Sequence, residues 1–425
     1  MVQRHRIQDS QRDIPSLSVT LATSRPALLF VTRRPPFPVT NGSRLRTHRL
    51  IVGLSRHFEV TLLTPAHGSA SRDGQCSLDD LRASLPGIDI VTCPGLRRDG
   101  RTSQLISLVR RPSWAWGRYL GQAFTDAIDA QHAALQPRIV HFDELAPALA
   151  GPLPGTLNVY ASHNFEELMS ARMAASARGL RRMFNTIELR KVKQEERRVL
   201  RQMDLVLAVS DAEREAMAEH SSAPVVVCPN GTDPCRPAPL RSWAAGEEFR
   251  LLFVGSLDYQ PYRRGVRWFI ERVLPLFPNG EVRLDLIGDP PSDPIVSPAV
   301  HYQGRVDDVG PWYDQAHAVI APIFDGAGTR LKVVEAAARR RPLLCTRLGA
   351  EGLPVEPDVH FLTFEDADGC RQAIARLQAL YQARQPELAR LVDGAEQAVA
   401  DLYWPRITER LADTYLRLID ERPRR

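Results

Sequence analysis

A glycine-rich turn carries the strongest chemical signal in this sequence. The segment "FDGAGTRLKVVEAAARRRPLLCT", residues 324–346, leads from an apolar stretch through a turn into a helix-like stretch and a second apolar stretch. The turn consists of the small residues Gly326, Ala327, Gly328 and Thr329. A helix amino terminus carries free N–H groups and a partial positive charge, and small residues let an anion approach them closely. The turn therefore predicts an anion site, with phosphate as the obvious anion and Thr329 as the helix cap.

Two charged residues in the helix after the turn make this prediction more specific. Lys332 and Glu335 are three residues apart, so they share one face near the helix start. The lysine is placed to neutralise phosphate, and the carboxylate can accept hydrogen bonds from ribose hydroxyls. The pair thus suits a nucleoside diphosphate. A surface Lys and Glu pair without a ligand has the same spacing, and it stabilises a helix by only about 0.2–0.5 kcal/mol.

Short apolar stretches alternate with helix-like stretches along most of the chain, and the alternation starts twice. This pattern predicts parallel sheets covered by helices on both faces. A turn-rich segment at 229–248 separates the two series and predicts two doubly wound domains. Ligands of such sheets bind beyond the carboxyl ends of the strands, so function is expected in the cleft between the domains. The strand-like stretches are 27–32, 58–64, 88–92, 138–142, 157–161, 204–210, 224–228, 249–255, 282–288, 299–304, 318–323 and 342–346.

Glycines follow several of these strands. Gly42 lies after the first strand and before an amphipathic stretch, Gly255 closes the first strand of the second series, and Gly288 closes the next one. A lone glycine at a strand end is usually only a turn. Several at the expected ligand edge of the sheets favour a binding site there.

Composition and charge exclude several classes of protein. The length of 425 residues predicts two domains, and 44% hydrophobic with 25% charged residues is typical of a soluble globular protein. The sequence has no run of about 18 apolar residues, so it predicts no membrane-spanning helix. Residues 1–25 lack the apolar core of a signal peptide, so we expect a disordered leader or an upstream mis-start there. A net charge of +5 is too small to predict nucleic-acid binding, and six scattered cysteines are typical of free cytoplasmic thiols.

A basic stretch, Arg178 to Gln202, is the main local concentration of charge. Its apolar residues recur at helical spacing, and we expect them to form the buried side of an amphipathic helix: Leu180, Met183, Phe184, Ile187, Val199 and Leu200. Two interpretations of the basic residues from Arg178 to Arg201 stay open. They form a solvated surface, as is common, or they make a peripheral contact with anionic lipid or an anionic acceptor.

The segment "GAGTRLKVVEAAARRRPLLCTRLGAEGL" resembles the donor-binding segment of retaining GT-B glycosyltransferases of family 4, which include bacterial exopolysaccharide and lipopolysaccharide sugar transferases. Other segments agree with that family in the expected order: "PPFPVTNGSRLR", "SHNFEE", "AVSDAE", "PNGTD", "FVGSLDYQPYRRGVRWF" and "YWPRITERLADTY". The resemblance covers about residues 26–420. Its turn is similar to that of the GxGTxxK subgroup.

The resemblance implies an α/β fold of the GT-B class, with two doubly wound Rossmann-like domains facing each other across a cleft. An acceptor-binding domain would span residues 26–232 and a nucleotide-sugar-binding domain residues 233–400, while a helix within 401–425 would cross back to the first domain. The implied activity is retaining transfer, of the hexosyltransferase type, from a UDP- or GDP-sugar to a saccharide or lipid-linked saccharide. Surface or exopolysaccharide biosynthesis, in the cytoplasm or at the inner face of the membrane, is the implied setting.

The resemblance also implies roles for residues of the second domain. Glu335 would bind the ribose, and the backbone from Gly326 to Thr329 would hold the pyrophosphate and sugar, with Gly255 at the same edge. Lys332 and one of Arg263 and Arg264 would stabilise the departing nucleoside diphosphate. No metal or other cofactor is then expected.

Residues of the first domain are implied to complete the site. His163 matches the histidine that such enzymes place beside the donor sugar. It would hydrogen-bond a sugar hydroxyl or assist the acceptor's proton, and we favour the positioning role. Gly42 and Arg44 would face the pyrophosphate after domain closure.

Three positions depart from the family pattern. Ala327 stands where many members have a second glutamate, which indicates the GxGTxxK subgroup and not a loss of activity. Arg340 stands where a glycine usually ends the helix, and a non-glycine residue in the left-handed conformation costs about 1 kcal/mol. Tyr262 stands where related sequences often have asparagine.

Other functions are compatible with the same scaffold. A sugar-nucleotide epimerase or a phosphorylase would use a similar nucleotide site, and a non-catalytic nucleotide-sugar-binding protein would keep the turn without transfer. Donor-dependent release of nucleotide distinguishes these functions. A dinucleotide dehydrogenase is not expected, because neither domain has GxGxxG after its first strand.

Overall fold

Two parallel sheets form the centre of the molecule. They are seen in a computed structural model that describes residues 25–66, 77–94, 107, 112–117, 119–236, 238–325, 330–383 and 386–422. The leader predicted for residues 1–25, apart from Arg25, and the turn from Gly326 to Thr329 lie outside the described residues.

Strands and helices alternate in both halves of the described chain. The strands are β1 Ala27–Thr32, β2 Glu59–Pro65, β3 Asp89–Cys93, β4 Ile139–Asp143, β5 Leu157–Ala161, β6 Leu205–Ala208, β7 Val225–Val227, β8 Phe249–Val254, β9 Val282–Ile287, β10 Val300–Gly304, β11 Ala318–Ala321, β12 Leu343–Cys345 and β13 Leu362–Thr363. The α-helices are α1 Gly42–Leu54, α2 Leu78–Ser84, α3 Trp114–Gly117, α4 Gln122–Leu135, α5 Leu145–Ala148, α6 Glu166–Ser176, α7 Gly179–Gln202, α8 Asp211–Ala218, α9 Gln260–Trp268, α10 Gly310–Gln315, α11 Leu331–Ala338, α12 Ala367–Gln382, α13 Pro386–Ala398 and α14 Trp404–Asp420.

The strand order determines where ligands can bind. The first sheet runs β3-β2-β1-β4-β5-β6-β7 and the second β10-β9-β8-β11-β12-β13, with parallel pairing between neighbours. The direction of winding reverses between β1 and β4 and again between β8 and β11. The loops after those strands diverge and leave a crevice at the carboxyl edge of each sheet. The prediction of two doubly wound domains is confirmed.

Each sheet is buried on both faces, as the continuous apolar strands predict. Leu28 and Phe30 of β1 enter one hydrophobic cluster, while Leu29 and Val31 enter another on the opposite face. The second sheet repeats this arrangement through alternate residues of β8. Successive side chains of a strand point to opposite faces, so one apolar run supplies both layers.

The last helix, α14, packs on the first sheet although it follows the second in the chain. Its Tyr415 is buried in the cluster that contains Phe30, and the Tyr415 hydroxyl lies 2.7 Å from Nδ1 of His141. A Cβ at Gly53 in α1 would lie 2.3 Å from Thr408 of α14. The two helices therefore approach so closely that only glycine fits at residue 53.

Helix α7 corrects one sequence prediction. Val199 and Leu200 are buried, but Leu180 is 82% exposed and Met183 is 56% exposed. The buried side chains of α7 lie from Glu188 onward, so its first turns extend beyond the core that they were expected to cover. In the part of the chain that the structure describes, no helix combines the length and apolar character needed to cross a membrane.

Arg340, just beyond α11, has a left-handed backbone conformation with φ of 53°. Glycine adopts this conformation without the Cβ clash. Arg340→Gly should therefore raise the free energy of unfolding by up to about 1 kcal/mol. Its exposed ion pairs with Asp393 and Glu396 reduce the gain by only a few tenths, roughly. Urea titration measures the change.

Arg339→Gly is the matched control for this prediction. Arg339 has φ of −91°, where glycine brings no relief and adds freedom to the unfolded chain. It should lower the free energy of unfolding. Equal destabilisation by both substitutions would contradict the assigned strain.

Candidate functional site

The ends of β1 and β4 bring two acidic residues and an arginine together where the first sheet reverses. Asp143 ends β4, and Glu144 follows it with φ of 75°, a rare conformation outside glycine. Arg33, just beyond β1, donates hydrogen bonds to both carboxylate oxygens of Glu144. Burial alone would raise the pKa of Glu144, but the charge of Arg33 and the adjacent His163 lower it to about 2. Glu144 is therefore held as an ion-paired carboxylate.

His163 lies between the two carboxylates, in the loop after β5. Its Nε2 is 2.8 Å from Oδ1 of Asp143, and its Nδ1 is 2.8 Å from Oγ of Ser43 and 3.4 Å from Oε1 of Glu144. Thr47 donates a 2.6 Å hydrogen bond to the other oxygen of Asp143. Contacts at both nitrogens thus fix the orientation of the imidazole.

Asp143 requires a proton on Nε2 of His163. Burial alone would raise the pKa of Asp143, but the adjacent His163, which is hydrogen-bonded to it, and the nearby His141 hold this pKa well below its usual range. An ionised carboxylate only accepts hydrogen bonds. Nε2 of His163 therefore donates to Asp143, which leaves Nδ1 facing Ser43 and Glu144.

Helix α6, which follows His163, is anchored by α7. Glu196 of α7 is fully buried and accepts hydrogen bonds from the backbone N–H groups of Glu166, at 3.1 Å, and Glu167, at 2.7 Å. The hydroxyl of Tyr160 donates a third, at 3.0 Å. Burial raises the pKa of Glu196 to about 7. This carboxyl satisfies the free N–H groups at the start of α6 and holds the loop of His163 in place.

Lys332, the predicted phosphate-binding cation, lies where the winding of the second sheet reverses. Gly255 follows β8 with φ of 150°, and a Cβ there would lie 3.0 Å from the ring of Tyr262 and 3.4 Å from Nζ of Lys332. The Lys332 ammonium is 3.3 Å from the ring centre of Tyr262 and 4.8 Å from that of Phe253. Both are cation–π distances. The residue that departs from the family pattern, Tyr262, thus covers the lysine.

The pKa of Lys332 predicts a pH-dependent stability. Burial first, and the charge of Arg330 second, lower this pKa from 10.5 to about 7. Between these pH values the unfolded chain holds more protons, so the contribution of Lys332 to the free energy of unfolding rises with pH. The slope is at most about 1.4 kcal/mol per pH unit.

Lys332→Met should remove that contribution. The free energy of unfolding of the wild type minus that of the variant should increase from about pH 7 to about pH 10, as measured by urea titration at each pH. Tyrosines and cysteines titrate in both proteins, so the difference cancels them. A difference that stays constant would show that Lys332 keeps its proton in the folded protein.

Glu335 lies one turn further along α11 and is oriented by a tyrosine. The hydroxyl of the fully buried Tyr313 donates a 2.8 Å hydrogen bond to Oε2 of Glu335. Burial raises the pKa of Glu335, against the opposing influence of Tyr313 and Lys332. The carboxyl is therefore fixed in direction near the start of the helix.

The remaining predicted residues differ in what they contact. Arg264 is 67% exposed and pairs with Asp325, while Arg263 is 4.0 Å from Asp293. The side chain of Arg44 folds back onto the loop before α1 and donates to the carbonyl of Pro38 and the hydroxyl of Thr40. Ser43, its neighbour, is the residue of this helix start that reaches His163.

The two candidate sites meet across the domain boundary. A Cβ at Gly42, the first residue of α1, would lie 3.3 Å from Cδ1 of Leu331, the first residue of α11. The amino terminus of one helix therefore faces that of the other. This contact places the cluster around His163 beside the segment that carries Lys332 and Glu335.

The arrangement can bind an anion between two helix starts and position a neutral group against His163. Within the described ranges, no group of three or more His, Cys, Asp and Glu side chains has the geometry to hold a metal ion. The sequence prediction did not include Arg33, Asp143, Glu144 or Tyr313. The first three end or follow strands at a reversal of the sheet, which is a usable signal, whereas nothing in the sequence marks Tyr313.

Two family models match consecutive parts of the chain. Residues 40–236 match the model described as "Glycosyltransferase Family 4", and residues 248–380 match "Glycosyl transferases group 1". Together they cover most of the chain and both domains. No curated protein sequence matches the chain.

Solved structures resemble the chain along nearly its full length. Sucrose-phosphate synthase from Thermosynechococcus elongatus has a TM-score of 0.64 and 17% identity, covering 94% of this chain and 100% of its own. HepE from Anabaena, solved with UDP and glucose, has a TM-score of 0.60 and 14% identity, covering 92% and 99%. WaaG, a glycosyltransferase involved in lipopolysaccharide biosynthesis, has a TM-score of 0.57 and 15% identity, covering 91% and 99%. At these identities the likeness shows the fold, and the GT-B prediction is confirmed.

Proposed function

We propose that this chain, which belongs to the GT-B glycosyltransferases, transfers a sugar from a nucleotide-sugar donor to a hydroxyl acceptor with retention at the anomeric carbon. The contact between Gly42 and Leu331 is the observation that carries the proposal. It brings the His163 cluster of one domain against the Lys332 and Glu335 segment of the other. A donor bound by its nucleotide to the second domain would thereby present its sugar to the first.

The proposed donor is a UDP- or GDP-sugar. Glu335 accepts hydrogen bonds from the ribose hydroxyls, and Lys332 with Arg263 or Arg264 neutralises the diphosphate. Gly255 and the backbone from Gly326 to Thr329 border the diphosphate and sugar, with Gly42 and Arg44 at the opposite helix start. The complex of HepE with UDP and glucose supports a uridine nucleotide, and a guanosine nucleotide remains the alternative.

The proposed mechanism is a same-face displacement. The bond between the anomeric carbon and the diphosphate oxygen breaks, the acceptor oxygen forms the new bond from the same side, and the leaving phosphate takes the acceptor's proton. Asp143 is hydrogen-bonded to His163, and Glu144 is ion-paired with Arg33, which disfavours either carboxylate as a nucleophile. His163 positions a sugar hydroxyl, and the cations stabilise the leaving group without a metal or other cofactor.

The proposed acceptor is a saccharide or lipid-linked saccharide in surface or exopolysaccharide biosynthesis. WaaG acts in lipopolysaccharide biosynthesis, which supports this class. We place the enzyme in the cytoplasm, with a peripheral contact at the inner face of the membrane through the basic residues from Arg178 to Arg201. Exposed Leu180 and Met183 beside these arginines support that contact.

Proton NMR of the products tests this function. The protein is incubated with UDP- and GDP-hexoses and an alkyl glycoside, with water as the default acceptor. We expect nucleoside diphosphate release together with a product that keeps the donor's anomeric configuration. The inverted configuration would contradict retention, a changed sugar still on its nucleotide would indicate an epimerase, and binding without turnover would indicate a non-catalytic protein.

A further inference from the structure

An open cavity lies between the α6–α7 hairpin of the first domain and the start of α9 in the second. Its volume is about 790 Å³. The hairpin contributes Arg172, Met173, Arg178 and Arg181. The second domain contributes Tyr259, Gln260, Pro261, Arg264 and Asp325. Neither Lys332 nor Glu335 lines it. Arg264 does line it, so the cavity adjoins the proposed nucleotide site at one of the two candidate diphosphate cations.

The charge of the cavity is strongly unbalanced. Arg172, Arg178 and Arg181 make no ion pair with any residue that the structure describes, whereas Arg264 is paired with Asp325. Asp325 is the acidic residue of the lining, and Arg172 also acts on the charge of Glu213, so Arg178 and Arg181 are the guanidinium groups left without a counter-charge there. Guanidinium groups bind phosphate through paired hydrogen bonds and keep their charge at any physiological pH.

Large apolar side chains are exposed at the same place. Met173 is 55% exposed and Tyr259 is 40% exposed, and both line the cavity, together with Met169. Leu180 and Met183, at the tip of the hairpin, are more exposed still. A concentration of exposed apolar surface next to unpaired charge is typical of a binding surface for an amphipathic molecule.

We propose that this cavity binds an acceptor whose phosphate or diphosphate group is attached to an apolar chain. The proposal rests on the proposed glycosyl transfer and names the acceptor class for it. Arg172, Arg178 and Arg181 bind the phosphate, and Met173 and Tyr259 contact the first part of the chain. The boundary position of the cavity sets the acceptor's sugar end toward the cleft that contains His163.

Direct binding of geranylgeranyl diphosphate tests the site without any transfer reaction. Calorimetric titration uses this probe below its micelle concentration, with pyrophosphate and geranylgeraniol as its charged and apolar halves. We expect the whole probe to bind at least about tenfold more tightly than either half, because the two kinds of contact act together. The double variant Arg178→Gln, Arg181→Gln should weaken binding at least about tenfold.

Arg190→Gln is the matched control. It is exposed on the same helix but lies nine residues beyond Arg181, on the opposite side at 3.6 residues per turn. The affinity of this variant for geranylgeranyl diphosphate should stay within about twofold of that of the wild type. Met173→Ser should weaken the whole probe and leave pyrophosphate unchanged.

Three results would overturn the proposal. Unchanged binding in the arginine double variant would show that the probe binds elsewhere. Equal affinities for pyrophosphate and the whole probe would show that the apolar chain contributes nothing to binding. Arginine-dependent binding of phosphatidylglycerol vesicles without binding of the probe would make the hairpin a membrane contact only. UDP and GDP titrations of the wild type separate the two proposals, because a wild type that binds neither nucleotide contradicts the donor site and leaves the probe result standing.

Discussion

Replacing His163 with alanine should lower kcat by about 10²-fold, while the Kd for the nucleoside diphosphate stays within about twofold. The imidazole is held through both nitrogens, at 2.8 Å from Asp143 and 2.8 Å from Ser43. A group fixed in this way can align a donor hydroxyl in the transition state, and its loss removes that alignment. The nucleotide contacts the other domain and should be bound normally.

Steady-state kinetics and nucleotide titration of the same preparation measure the two effects. His132→Ala is the control. His132 lines a separate cavity beside Arg138 at the amino end of β4, which is the edge of the sheet opposite the cleft. It should leave kcat unchanged. A normal kcat in the His163→Ala variant would contradict the positioning role and show that His163 is only a structural residue.

Glu335→Ala should weaken nucleoside diphosphate binding by roughly 10-fold to 150-fold. A hydrogen bond to a charged group contributes about 1.5–3 kcal/mol, so this range corresponds to the loss of one such bond between the carboxylate and a ribose hydroxyl. Tyr313 fixes the direction of that carboxylate, so the site is formed before the nucleotide arrives. Isothermal titration calorimetry measures the change in Kd.

Tyr313→Phe is the graded comparison for this prediction. It removes the hydrogen bond to Glu335 and keeps the carboxylate, so its loss of affinity should be several-fold and smaller than that of Glu335→Ala. If Glu335→Ala binds the nucleotide as the wild type does, the ribose assignment is wrong. A free nucleoside should then also bind equally to both proteins.

The sheets were predictable because their strands are local signals. Each apolar run is short and flanked by turns, and burial on both faces requires apolar residues at consecutive positions, as in β1 and β8. The same reasoning failed for the first turns of α7. A helical apolar stripe predicts a buried face only where a core lies opposite it, and Leu180 lies beyond the core.

The candidate site was predictable only in part, since its contacts join distant segments. His163 meets Ser43, 120 residues earlier in the chain, and no local pattern states which loops meet. Lys332 and Glu335 were found from their spacing, but the ring of Tyr262 over Lys332 depends on how α9 packs against α11. Arg33 and Glu144 were missed for the same reason, although both follow strands at the reversal of the sheet.

Calorimetric titration of the wild-type protein with UDP, GDP, ADP, CMP and NAD would test the nucleotide-sugar site most directly. We predict that one nucleoside diphosphate, UDP or GDP, binds with one-to-one stoichiometry and far more tightly than NAD. That result would name the donor class. If none of the five binds, or NAD alone does, the glycosyl transfer proposed here is contradicted, and the turn from Gly326 to Thr329 is a structural loop.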